Sequence, residues 1–213
     1  GLLTTIAYQI EGKDPLYALE GSVPIAGAAV QWLRDNLNII KSSDEIESLA
    51  MGEKDNGDVY FVPAFSGLFS PHWDETARGA LFGLTRFSNK SHIARSVLES
   101  VAFQSFELLQ SMEKDLDIEF QNLKVDGGMV SNNLLMQFQS DILNKTIISQ
   151  EINEITALGA GVASFIFAEN LNIKNVGDFI STSKTWNPNM SNKSRVNLLS
   201  SWFKAIDKSK HWL

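Results

Sequence analysis

The sequence predicts an α/β domain, and three observations lead to this prediction. Two short β-type stretches, residues 2–9 and 16–20, flank the turn-forming run Glu-Gly-Lys-Asp-Pro, as in a β-hairpin. Short apolar runs typical of strands then alternate with segments whose apolar residues recur at helical spacing. This alternation favours mostly parallel pairing in the later part of the sheet. No internal repeat or low-complexity segment divides the chain, so we expect one domain over residues 1–213.

Apolar periodicity and its interruptions predict the other elements. A helix is expected over residues 24–37, with Ser22 or Val23 as its cap and Pro24 at an early position. The same reasoning predicts, in chain order, a short acidic helix at 43–51, a strand at 59–62, an ordered loop at 64–74, an extended segment at 79–84, a long amphipathic helix at 91–114, a strand at 123–125, a helix at 133–143, a strand at 146–149, and helices at 157–169 and 195–210.

Composition narrows the classes of function. The 213 residues are 44% apolar and 20% charged, which is enough to bury a sizeable core. The formal charge is −7 and the Lys and Arg residues are scattered, so nucleic acid is not expected as a partner. The sequence contains no cysteine, which excludes disulfides and thiolate metal sites and fits a reducing compartment. We therefore expect a cytoplasmic protein.

The start of the chain indicates a piece of a longer protein. Residue 1 is Gly rather than Met, and the first residues already predict a strand. They lack the basic flank and cleavage pattern of a signal peptide, and no stretch of the chain reaches the length of a membrane span. We expect further sequence to precede Gly1.

The turn at Asp126-Gly127-Gly128 is typical of a nucleotide site. Both glycines can take positive φ and let a ligand approach the backbone closely. The helix at 133–143 would direct its free N–H groups and the positive end of its dipole towards a phosphate. If Gly128 and Asn132 share the first turn, the Asn132 amide can read a purine edge. The alternative, a tight turn with Asn132 as the helix N-cap, fits the motif equally well.

A second glycine and amide pair lies in the helix at 24–37. Gly27 and Gln31 are four residues apart, and a helical Gly costs about 1 kcal/mol relative to Ala. Its presence suggests that backbone or ligand approaches closely at this position. When the helix is taken alone, the alternative of a helix-packing Gly beside a solvated Gln is favoured.

Three blocks of the sequence resemble the second half of the carbohydrate kinases of the FGGY family. The first reads Phe-Val-Pro-Ala-Phe-Ser-Gly-Leu at 61–68 and continues to Thr85. The family signature, Gly-x-Leu-x-Gly-Leu, seven residues, then His-Ile-x-x-Ser-Val-Leu-Glu, is matched without a gap from Gly79 to Glu99. The other two blocks begin at Tyr17 and at Val125, so the resemblance covers nearly the whole chain.

The resemblance implies a ribonuclease-H-like, actin-like ATPase domain with a mixed sheet flanked by helices, forming the carboxyl-terminal half of a two-domain kinase. It implies ATP or ADP, accompanied by Mg²⁺, in the cleft between the halves. It places four residues of this chain among the nucleotide contacts: Gly27, Gln31, Gly128 and Asn132. It further implies phosphoryl transfer to glycerol, which the protein's own amino-terminal half would hold, and assembly as a homo-oligomer.

The resemblance also implies what this chain lacks. In the family, the aspartate that accepts the substrate's proton and the residues that hold the substrate lie in sequence that would precede Gly1. The chain is therefore expected to carry no catalytic residue and to be inactive alone. Two alternatives stay open: a sister kinase acting on xylulose or gluconate, and a non-catalytic actin-like nucleotide-binding module.

The sequence departs from the family pattern in the loop at 64–74. Phe69 stands where family members more often have a smaller residue or Tyr, and His72 where they have Tyr. No Cys, His or carboxylate pair lies at ligand spacing from His72, so we expect a packed or surface aromatic substitute rather than a catalytic base. No metal site is expected among the side chains of this chain.

Overall fold

The strands that the structure describes form three small sheets, and helices join the sheets along the chain. The computed structural model describes residues 2–152, 154–169, 177 and 181–213. The predicted α/β class is confirmed. The expectation of a single domain over residues 1–213 stays a prediction. Gly1, the first residue of that range, lies outside the described residues.

The chain opens with the predicted hairpin. Strand β1 (Leu3–Tyr8) pairs antiparallel with β2 (Leu16–Glu20), and Ile6 lies opposite Tyr17. The turn between them contains Gly12 at φ 75°. Both strands belong to a separate two-stranded sheet, so the hairpin prediction is confirmed.

The first helix begins later than predicted. Helix α1 spans Gly27–Asp35, and its N-cap, Ala26, makes no side-chain hydrogen bond. The prediction that Ser22 or Val23 caps this helix, with Pro24 at an early position, is therefore wrong. A residue distant in the sequence holds the segment before α1 instead, because the Gln104 side chain donates to the Ile25 carbonyl at 3.2 Å. Helix α2 follows at Glu45–Ala50.

A second antiparallel pair of strands places one buried strand in the core. Strand β3 (Tyr60–Val62) is buried along its length and pairs antiparallel with β4 (Ala80–Phe82). The turn after β4 requires glycine. Gly83 has φ 81°, and a Cβ there would lie 1.9 Å from the Asp58 carbonyl oxygen.

Helix α3 (Lys90–Leu116) is the longest element, with 27 residues. The Asn89 side chain accepts hydrogen bonds from the N–H groups of Ser91 and His92, and the His92 ring accepts one from the Asn89 N–H. This capping box fixes the start of the helix. The helix ends at Asp117, which adopts the left-handed conformation at φ 52°.

The third sheet combines parallel and antiparallel pairing. Strands β5 (Asn122–Val125) and β6 (Thr146–Gln150) run parallel, and β7 (Thr182–Trp186) pairs antiparallel with β6. The predicted parallel pairing is thus confirmed for β5 and β6, whereas the sequence analysis missed β7. Between β5 and β6, a 3₁₀ turn (Gly128–Ser131) leads into helix α4 (Asn133–Leu143), whose predicted bounds are confirmed.

The last two helices were predicted two to three residues too short at their starts. Helix α5 spans Ile155–Ala168, and α6 spans Asn192–Ser209. Helix α6 begins earlier because the Ser191 side chain caps it by accepting from the Ser194 N–H at 3.2 Å. Within the described ranges, no helix is both long and apolar enough to cross a membrane.

Aromatic stacking joins the helices in the core. The Phe103 ring on α3 stacks on Trp202 of α6 at 5.0 Å and meets Phe138 of α4 edge-on at 5.5 Å. All three side chains are buried. Burying one such side chain stabilises a fold by about 1.5–3 kcal/mol, so this cluster ties α3, α4 and α6 together.

A buried carboxylate on α3 joins the helix to the loop before β3. Glu99 accepts hydrogen bonds from Arg95 Nε at 2.9 Å and from Asn56 Nδ2 at 2.8 Å. Burial raises the pKa of Glu99 from 4.5 to about 7, although Arg95 and Asn56 act in the opposite direction. Because the folded state holds this proton more tightly, the stabilisation is complete below pH 4.5 and is lost as the pH rises through 7.

We predict that Glu99→Gln flattens the pH dependence of stability. In the unaltered chain, ionisation of Glu99 should lower the free energy of unfolding by roughly 2–3 kcal/mol between pH 5 and pH 8. Urea unfolding at the two pH values measures this difference in each variant. Glu11→Gln, an exposed position in the first hairpin, serves as the control. An unchanged pH dependence in Glu99→Gln would show that another group is responsible.

Candidate functional site

A cleft of about 530 Å³ opens beside α1, α2 and the start of α4, and this volume suits a small organic ligand. It contains all four of the site residues that the sequence predicted. The lining residues are Gly27, Val30, Gln31, Ser43, Asp44, Ile46, Glu47, Leu98, Gly128, Met129, Ser131 and Asn132. Residues about a hundred positions apart in the sequence therefore meet around one space.

Gly27 is the first residue of α1 and faces open space. A Cβ built on it would have only Met129 Sδ within 4 Å, at 3.8 Å. Tight packing between helices therefore does not explain this glycine. The alternative of a helix-packing Gly, which was favoured when the helix was taken alone, is wrong. Gln31 lies one turn further along α1, and its side chain is exposed. The two residues form part of the same wall of the cleft.

The glycine turn before α4 differs in detail from its prediction. Gly127 has φ 88°, as expected, but Gly128 does not adopt positive φ and instead begins the 3₁₀ turn. A Cβ on Gly128 would meet nothing within 4 Å. The space beside this backbone is therefore open, as a closely approaching ligand requires.

Asn132 is the N-cap of α4. Its Oδ1 accepts a hydrogen bond from the Leu135 N–H at 2.8 Å, and the residue is 8% exposed. The N-cap interpretation is thus confirmed, and the shared first turn with Gly128 is wrong because the 3₁₀ turn ends before Asn132. Both residues nevertheless line the cleft.

The N–H groups at the start of α4 are already partly used. The Leu134 N–H donates to Glu47 Oε1 at 2.9 Å, in addition to the Leu135 N–H that Asn132 binds. The expectation that both of these groups are free to bind a phosphate is therefore wrong. A side chain from α2 supplies the negative charge that the helix dipole favours at this end.

The cleft has an acidic lining. Asp44 and Glu47 contribute carboxylates, and within the part of the chain that the structure describes no Lys or Arg lines it. Arg34 approaches the rim, where it donates to the Ser43 hydroxyl at 3.3 Å, but it is paired with Asp35 at 2.6 Å. The side chains on this surface therefore favour uncharged or cationic groups of a ligand.

His72 has a carboxylate partner that the sequence analysis missed. Its Nε2 lies 2.6 Å from Oε1 of Glu107, which is on α3 and 5% exposed. The pair holds the loop that follows β3 against α3, and neither residue lines the cleft. This position agrees with a packed rather than catalytic histidine. Phe69 lies in the same loop, with its ring 6.4 Å from that of Trp73.

Comparison with known proteins identifies the family. Residues 1–167 match the model of the FGGY family of carbohydrate kinases, C-terminal domain. The chain belongs to this family. Within the FGGY family, it is 51% identical to the glycerol kinase of Brucella anthropi and 50% identical to that of Methylobacterium radiotolerans, in both cases over its whole length. It spans only 43% and 42% of those relatives.

Solved structures of FGGY kinases share the fold. The crystal structure of Plasmodium falciparum glycerol kinase with ADP matches at a TM-score of 0.89 and 36% identity, over 98% of this chain and 42% of that chain. Xylulose kinase from Lactobacillus acidophilus matches at 0.77 and 22% identity, over 90% of this chain and 40% of that chain. The second match shows the fold alone. Together they confirm the predicted actin-like architecture.

The contribution of α2 to the cleft was not predicted from the sequence. An acidic helix was expected at this position, but no role was predicted for Glu47, Asp44 or Ser43. The contact between Glu47 and α4 joins residues 87 positions apart. No local sequence motif predicts such a long-range contact. The only available signal was an acidic residue on the short helix that follows the Gly27 and Gln31 pair.

We predict that Gly27→Ala and Gly128→Ala weaken nucleotide binding without unfolding the protein. The added methyl group enters open space in both cases, so stability should stay the same or rise by up to about 1 kcal/mol. The methyl group would occupy the space of a closely approaching ligand and should weaken ADP binding about tenfold or more. Calorimetry and thermal unfolding of the full-length protein measure the two effects.

Gly12→Ala is the control for these two variants. Gly12 has positive φ in the first hairpin, so the substitution strains the backbone and should lower stability, unlike the two cleft variants. It lies outside the lining of the cleft. Equal losses of ADP affinity in all three variants would mean that the two cleft glycines have no special role.

Proposed function

We propose that this chain is the nucleotide-binding, carboxyl-terminal half of an ATP-dependent glycerol kinase, which converts glycerol to glycerol 3-phosphate. The observation that carries the proposal is the single cleft that collects Gly27, Gln31, Gly128 and Asn132. The relatives named glycerol kinase support the choice of substrate, since they are 47–51% identical over the whole chain. The ADP-bound Plasmodium falciparum enzyme supports the choice of cofactor.

The residues of the cleft fit an adenine nucleotide. The open space beside Gly27 and Gly128 admits a ligand group at contact distance from the backbone. Gln31 offers an exposed amide, and the cap of α4 uses Asn132 Oδ1, leaving the Nδ2 group as a donor. These amides can bind the uncharged nucleoside. When bound, ATP supplies the phosphoryl group, and we propose that Mg²⁺ is held mainly through the phosphates.

The rest of the reaction is assigned to the protein's own amino-terminal half. We propose that this half holds glycerol and provides the group that accepts its proton, while this chain contributes nucleotide binding alone. The first hairpin suits a protein partner, because its two strands expose large apolar side chains: Leu3, Ile6, Tyr8, Leu16 and Tyr17. We further propose a cytoplasmic, homo-oligomeric enzyme. The absence of cysteine supports the first feature, and the family resemblance supports the second.

Substrate choice can be tested directly. Full-length protein should phosphorylate glycerol with Mg²⁺ and ATP, and xylulose and gluconate should react far more slowly. Preferred turnover of xylulose or gluconate would transfer the protein to a sister kinase of the same family. Binding of ADP without turnover of any of the three would favour a non-catalytic nucleotide-binding module.

We predict that Gln31→Ala and Asn132→Ser weaken ADP binding by about three- to tenfold each, because each removes one hydrogen bond to the nucleoside. Serine at position 132 still caps α4, so the loss reports on the ligand rather than on the helix. Calorimetry on the full-length protein gives the affinities, and a coupled assay gives the matching loss in kcat/KM. Lys184→Ala is a control, since Lys184 contacts Asn133 outside the cleft lining. Wild-type affinity in both cleft variants would remove these two residues from the site.

A further inference from the structure

A carboxylate from α2 holds the start of α4. Glu47 Oε1 accepts from the Leu134 N–H at 2.9 Å, and the Glu47 side chain is half-buried between the two helices. The same residue lines the cleft next to Asn132. One carboxylate therefore contacts both the helix that Asn132 caps and the space that the nucleotide is proposed to occupy.

We infer that Glu47 is a positioning residue that also selects which end of the nucleotide enters this side of the cleft. The inference rests on the proposed function and deepens it. By binding the second N–H of α4, Glu47 fixes the turn on which the Asn132 amide is presented. By its charge, it occupies the place that an anion would otherwise take at this helix start.

The charges around this end of the cleft agree with such a selection. A phosphate placed here would face the carboxylates of Glu47 and Asp44 and would find the Leu134 and Leu135 N–H groups already bonded. Arg34 and Lys184, which lie near this end, do not line the cleft. Arg34 is paired with Asp35, and Lys184 Nζ lies 3.4 Å from Asn133 Oδ1.

An uncharged nucleoside meets a different surface at the same place. Hydroxyl and amino groups can donate to the free lone pairs of Glu47, and the Asn132 amide remains available to a purine edge. The arrangement therefore attracts the nucleoside and repels the phosphates at the α4 side of the cleft.

Two variants separate the positioning role from the charge. Glu47→Gln keeps an oxygen that accepts from the Leu134 N–H but removes the charge, whereas Glu47→Ala removes both. Glu45→Gln is the matched control, because Glu45 lies on the same helix, accepts from the Lys41 N–H at 3.0 Å and does not line the cleft. The probes are adenosine and magnesium-free pyrophosphate, with the full-length protein.

We expect Glu47→Gln to bind adenosine within about twofold of the wild type, while pyrophosphate competes with adenosine about fivefold more strongly at low salt. Glu47→Ala should bind adenosine about fivefold more weakly and raise the KM for ATP by a similar factor with little change in kcat. Glu45→Gln should match the wild type in every measurement. Unaltered pyrophosphate competition in Glu47→Gln, with adenosine binding intact, would overturn the selection by charge.

Hydrogen exchange at the Leu134 amide tests the positioning role without ligand. Glu47→Ala should increase its exchange rate about fivefold, since the N–H loses its partner, and Glu45→Gln should not. Exchange that stays at the wild-type rate in Glu47→Ala would overturn the positioning role, whatever the nucleotide results. Wild-type protein that binds neither adenosine nor ADP would overturn the proposed function, and the selection role with it.

Discussion

Packing against α3 sets the positions of the elements that line the cleft. Helices α1, α2 and α4 all contact α3. The Gln104 side chain of α3 holds the Ile25 carbonyl just before α1, and the Phe103 ring meets Phe138 of α4. Leu98, buried on the same helix, reaches the cleft itself. Because interiors are close-packed, a shift of α3 would move both walls of the cleft at once.

The starts of α1 and α4, which both line the cleft, differ in how their backbone N–H groups are hydrogen-bonded. The start of α4 is satisfied by two side chains, Asn132 and Glu47, whereas among the described residues no side chain caps α1 at Ala26. Unsatisfied N–H groups at a helix start attract anions, and satisfied ones do not. The two walls therefore differ in the groups they can bind, although each was first recognised from the same pattern of a glycine followed four residues later by an amide.

The sequence was a good guide wherever a local signal decides the structure. The bounds of α4 follow from the Asn132 cap and from an apolar stripe, and the first hairpin follows from its turn residues. Contacts between distant residues decide the features that were missed. The start of α1 depends on Gln104, β7 depends on β6 as a partner, and His72 depends on Glu107, 35 residues away. Periodicity and propensity describe neighbours along the chain, so they cannot reveal these pairings.

Two glycines of the cleft occupy positions where the fold itself does not demand glycine. Gly83 shows the contrast, since its positive φ and the nearby Asp58 carbonyl exclude any Cβ. Gly27 and Gly128 lack positive φ, and a Cβ on either would meet nothing closer than 3.8 Å. Glycine in a helix costs up to about 1 kcal/mol relative to alanine, and here neither strain nor crowding within the described chain offsets that cost. A ligand that approaches the backbone within contact distance would give both glycines a physical reason, and we propose the nucleotide as that ligand.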